Sequence, residues 1–173
     1  METSKLPEVW LRGPVAGVPT ILQPIAHVLL QAQEEVHELS QDFPSDLLWE
    51  KPAGAASVAF HLQHICGVLD RLFTYAKGRS LSYDQLKDLK LEGQKPEAGI
   101  SRESLIEKLD IQFQKTIQEL SVIDPDSLFE TRGVGRAQLP STTIGLLFHA
   151  AEHTMRHVGQ LLVTVKVLRE KES

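Results

Sequence analysis

Apolar positions recur three and four residues apart over long stretches of this chain, and Pro and Gly punctuate those stretches. "GPVAGVPT" ends in Thr20, a residue able to cap a helix, and "ILQPIAHVLLQAQEEVHELSQ" then carries the helical spacing to near Asp42. Pro24 falls in the first turn, where its missing N–H removes no helical bond. "FPSDLLWEKPAG" predicts a loop with at most one short turn. A second helix is predicted from Ala55 or Ser57 through "SVAFHLQHICGVLDRLFTYAKG", stopping at Gly78.

The stretch from Arg79 to Gly99 is irregular. Within it Ser82 stands three residues before Gln85, the spacing of a capping box, which predicts a short helix. A third long helix begins near Ser101, with Leu105, Ile106, Leu109, Phe113, Ile117 and Leu120 on one face, and "DPDS" ends it. "LFETRGVGRAQLP" predicts a loop or short hairpin. The last helix follows Pro140, with Ser141 as its cap, and runs to Arg169. No internal repeat, low-complexity tract or alternating strand pattern stands out. Four long helices with a long connection between the second and third predict an all-α four-helix bundle, one domain over residues 1–173 with an N-terminal arm over 1–18. The second and fourth helices are the most apolar and are expected to face each other.

Composition narrows the setting. A chain of 173 residues, 42% of them apolar, fits one domain with a substantial core. Its net charge is −5 and its Lys and Arg are scattered among acids, which argues against a nucleic-acid partner. The single cysteine, Cys66, forms no internal disulfide and suits a reducing compartment. The first twenty residues lack a basic segment followed by a long apolar run, so they do not read as a signal peptide. No stretch approaches the roughly 18 apolar residues of a membrane span. A cytoplasmic protein without a membrane partner is the expectation.

The chemistry concentrates in "GLLFHAAEHTMRHVGQLL", where three of the seven histidines, His149, His153 and His157, stand four apart. At 3.6 residues per turn they span only about 80° of the helix. Gln160 shares their stripe. Ile144, Leu147, Ala151, Met155, Val158, Leu162 and Val165 form a wide apolar band roughly opposite. That second covered side predicts a homodimer. The second helix adds His61 and His64, three apart in "HLQH". Histidines four apart can aim both rings at one ion, but Glu152 does not lie between the ligands as HExxH requires, so a zinc-protease reading fails. Cys66 lies about 200° around the helix from His64 and reads as a small core side chain. Asp70 falls on another face and is expected to pair with a base or solvent. "RGVGR" lacks the lysine of a phosphate loop and reads as a turn, and Trp10 and Trp49 read as packing anchors.

"SVAFHLQHICGVLDRLFTY" together with "LLFHAAEHTMRHVGQLL" resembles the DinB/YfiT-like superfamily, whose signature is a histidine in an "HLxHI" context and an HxxxH followed by Gly-Gln. "HTMRHVGQ" supplies His153 and His157 before Gly159 and Gln160, and the upstream ligand falls on His64, directly before Ile65. The resemblance implies a bundle that binds one divalent transition metal through His64, His153 and His157, often as a homodimer. Its characterised relatives include S-transferases that use low-molecular-weight thiols and a maleylpyruvate isomerase. This chain departs from the common pattern at Val158, where an Arg often follows the last histidine, and in its extra His61 and His149.

Three imidazoles suit zinc, nickel, iron or copper, with zinc and nickel placed first. Such an ion keeps an open position, where a small-molecule thiol or a water would be activated for transfer or hydrolysis. The alternative is a non-catalytic metal-binding or stress-response protein with the same site. His61, His149 and Gln160 are candidates to support the ligands or touch substrate, and Arg132 and Arg136 to meet an anionic one.

Overall fold

Ser57, Ser82 and Ser101 each accept a hydrogen bond from the backbone N–H three residues on, at 3.2, 3.2 and 3.1 Å, and so start three helices. At Ser82 the bond is reciprocated, because Gln85 Oε1 accepts from the Ser82 N–H at 2.9 Å and completes the capping box. A computed structural model describes residues 6–97 and 99–170. It contains helices α1 (Gln23–Ser40), α2 (Val58–Ala76), α3 (Tyr83–Leu91), α4 (Arg102–Ser121) and α5 (Thr143–Glu170). A hairpin of β1 (Thr131–Val134) and β2 (Leu139–Thr142) precedes α5.

The four long helices pack in a ring, α2 against α5, α5 against α1, α1 against α4 and α4 against α2. The fold is all-α, as the periodicity predicts. Leu29, Leu62, Leu69, Leu109, Phe113 and Leu161 are almost wholly buried in its centre. Each such side chain contributes about 1.5–3 kcal/mol of burial free energy. Because α5 contacts both α1 and α2, the bundle itself covers most of the apolar band on α5: Leu147, Ala151, Val158 and Val165 are core residues.

The structure corrects two local expectations. Ser141 is not the cap of the last helix: it lies in β2 opposite Arg132, and Thr142 Oγ1 accepts the Gly145 N–H at 3.1 Å instead. The hairpin keeps the backbone extended through Thr142, so the first free helical donors come later. Trp10 is no packing anchor, being 60% exposed with its indole donating to Glu8 at 2.6 Å; its neighbour Val9 is the buried residue. Of the loop or short hairpin expected at "LFETRGVGRAQLP", the structure has the hairpin, whose two short strands show no alternation because neither has one buried face.

The arm is fixed to α1 by polar bonds, Val9 N–H to Gln31 Oε1 at 3.0 Å and Arg12 to Glu34 at 2.6 Å. Residues 1–5 of that arm lie outside the described residues. Among the described residues no helix is long and apolar enough to cross a membrane. The short helix α3 buries no side chain at all. Polar links hold it across α2: Gln85 Nε2 donates to Asp70 at 2.6 Å and to Thr74 at 2.8 Å, and Gly93 N–H donates to Gln63 at 2.8 Å.

Candidate metal centre

Where α2 packs on α5, four imidazoles meet. His64 and His153 bring their Nε2 atoms to 3.0 Å, and His61 and His157 bring their Nδ1 atoms to 3.1 Å. One nitrogen from each of His64, His153 and His157 lies within 4.8 Å of the others, so this triad can hold a metal ion. Phe60 stacks flat on the His64 ring at 5.1 Å between centroids and meets His61 edge-on at 5.6 Å, which fixes both planes.

Proton placement decides what these rings offer. His64 Nδ1 stands 2.6 Å from Glu92 Oε2 and donates its N–H there. Its Nε2 is then left as a lone pair pointing at His153. His153 has no such partner: its Nδ1 is buried and hydrogen-bonded to nothing among the described residues. If His153 carries its proton on Nδ1, two Nε2 lone pairs face each other and a buried donor is orphaned. Carried on Nε2, the proton leaves Nδ1 an orphaned acceptor. Each orphan costs about 1–3 kcal/mol. A cation among converging lone pairs removes the facing-pair repulsion, and the donor set of three imidazoles suits a divalent transition ion.

Two of the imidazoles, His61 and His157, stay neutral well below neutral pH. Burial, and then the nearby His64, push His61 down to about 4. Burial, and then His64, His153 and His61, do the same to His157, also to about 4. His153 is lowered by burial and then by His64 and His149. Neutral rings are the form that binds metal.

Glu92 is the residue that sequence reasoning did not single out. It follows α3 in the irregular connection, and no spacing links it to His64. Burial alone would raise its carboxyl, but hydrogen bonds from His64 and Arg71 outweigh that and lower it. Arg71 NH1 reaches Glu92 Oε1 at 2.5 Å, so one carboxylate bridges a guanidinium and an imidazole. The pair rests on Gly67, where a Cβ would collide with both the carboxylate and the guanidinium. Beside it Gly93, at φ +75°, lies against Phe60, where a Cβ would come within 2.9 Å of the ring. Two glycines thus let the connection sit close on α2.

The other candidates lie elsewhere. His149 is exposed and its Nδ1 is 3.4 Å from Glu152, and those two with His153 form a second cluster of possible ligands. Gln160 is exposed on α5. Arg132 is committed to the Ala76 carbonyl at 2.7 Å and to Glu130 at 2.6 Å. Arg136 is exposed in the hairpin turn. Asp70 pairs with Lys115 at 2.7 Å. Cys66 is partly buried, and burial pushes its thiol up to about 11.

A family model described as the DinB superfamily matches residues 29–161, which is more than half of the chain and includes all four imidazoles of the cluster and Glu92. No curated protein matches the chain.

Proposed function

Because the chain belongs to the DinB superfamily, we propose that it is a metal-dependent enzyme, a thiol S-transferase or a hydrolase, that works from one divalent transition ion held by His64, His153 and His157. The observation that supports this reading is the convergence of three imidazoles from two helices, with the His64 Nδ1 proton directed away from the centre to Glu92. When bound, such an ion supplies a positive centre that eases loss of the proton from a thiol or a water.

The chain's own residues do the rest. Glu92 holds the His64 tautomer and its ring orientation, and Arg71 holds Glu92. His61 performs a matching task for His157, because a proton donated from His157 Nδ1 to His61 Nδ1 leaves His157 Nε2 free. Phe60 shields this side of the rings from water.

The test begins with metal analysis of untagged protein, expected to give about one ion per chain. His153→Ala is expected to lose that ion while the helical circular dichroism is kept. The loaded protein is then offered low-molecular-weight thiols with an electrophilic acceptor, and simple hydrolase substrates, beside the variant. A chain that takes up no transition ion ends the reading, and a loaded chain inert to every substrate leaves only binding.

A further inference from the structure

His64 and His153 form one end of a cavity of about 290 Å³ whose remaining walls are mostly apolar. Val68 and Leu72 continue it along α2, one and two turns beyond His64. Leu81 and Leu89 close it from the connection and from α3. Leu89 is 42% exposed on a helix that buries nothing, so its apolar surface is left without cover beside the imidazoles.

The charges around this cavity are already matched. Arg71 lines it, but the guanidinium is buried and bound to Glu92 at 2.5 Å. His149 lines it and is 3.4 Å from Glu152. Neither Arg132 nor Arg136 is in the wall. Tyr75 also lines the wall, and its hydroxyl has no hydrogen-bond partner among the described residues. In the ion-free chain an anionic ligand would therefore give up its hydration with no free cation in the wall to replace it. A hydrocarbon body would instead cover leucine surface that water now touches.

We propose that this cavity binds an uncharged, largely apolar small molecule, alkyl or aryl, with its polar end toward His64 and His153. Binding stands on the walls alone, whereas the ligand's role as substrate rests on the metal-dependent reading above. The walls themselves thus favour an apolar ligand over an acidic one.

The probes are 1-butanol, 1-pentanol, 1-hexanol and hexanoate, titrated into the full chain with its Leu and Val methyls observed by NMR. The chain is used after chelator treatment and again after zinc addition. The alcohols are expected to shift the methyls of Val68, Leu72, Leu81 and Leu89, with affinity rising about threefold to fourfold per added methylene. Hexanoate is expected to bind the chelator-treated chain at least about tenfold more weakly than 1-hexanol. Leu72→Asp and Leu89→Asp, both at partly exposed positions, should abolish the shifts, while Ile111→Asp on the exposed face of α4 should not. Hexanoate binding the chelator-treated chain as tightly as 1-hexanol, or alcohols that leave these methyls unmoved, would overturn the proposal. Alcohol binding in a chain that refuses zinc would sink the metal reading alone, and zinc uptake without alcohol binding would sink the cavity alone.

Discussion

His64 Nδ1 and Glu92 Oε2 lie 2.6 Å apart across 28 positions of sequence, and this bond determines which nitrogen of His64 faces the other imidazoles. Without it the ring is free to place its proton on Nε2, pointing into the centre. Glu92→Ala is therefore expected to weaken metal affinity by about 10–100-fold, with Glu92→Gln between the two because an amide oxygen still accepts. Competition against a chromophoric chelator measures this. Unchanged affinity in both variants would show that Glu92 does not orient the ligand.

Gly67 tests the same link from the other side. A Cβ there meets the far ends of Glu92 and Arg71, which can move aside, rather than backbone, which cannot. Gly67→Ala should fold, with thermal stability close to the parent, yet lose metal affinity as Glu92→Ala does. A variant that keeps full affinity would mean the carboxylate reaches His64 by another path.

The buried imidazole of His61 gives the metal-free chain a pH dependence. Its folded value is about 4 against an ordinary 6.5. The unfolded chain thus takes up a proton that the folded chain refuses, so stability falls as pH drops from about 6.5 to about 4 and levels off below. The slope contributed by this one group approaches about 1.4 kcal/mol per pH unit. Thermal melting of chelator-treated protein across that window, beside His61→Phe, measures it, and the variant should show the flatter profile. Parallel profiles would remove His61 as the cause.

Arg132 is expected to matter for stability and not for the centre. Its guanidinium ties the hairpin to the Ala76 carbonyl at the C-terminal end of α2 and to Glu130. Arg132→Ala should cost about 1.5–3 kcal/mol in denaturant unfolding, the range for hydrogen bonds to charged groups. Its metal content should match the parent. Loss of the ion with unchanged stability would reverse that assignment.

Much of the scaffold is legible in the chain. Ser57, Ser82, Ser101 and Gly78 mark helix ends by local chemistry that acts within a few residues, and the four long apolar periodicities determine what packs together. His153 and His157 are visible as a pair because a helix turn places them on one face. The hairpin is legible only as one of two options, loop or hairpin, because strands of four residues with no buried face leave no alternation to read. Trp10 misleads because size suggests burial, whereas its position on the arm leaves Val9 to face α1. Glu92 escapes for a deeper reason. Its place opposite His64 comes from how an irregular connection lies across α2, and that depends on close approach at Gly67 and Gly93 rather than on any period.

The short helix α3, fastened by amide and carboxylate links with no buried side chain, sits at the low end of local stability, where opening needs little free energy. Its last anchor is the carboxylate that also steadies the His64 imidazole. Thermodynamic reciprocity then binds the two: occupancy of the centre lowers the equilibrium opening of α3 by the same factor by which a fastened α3 favours occupancy. Amide exchange along Tyr83–Leu91 is thus a reporter, at a distance, of whether the imidazoles are filled.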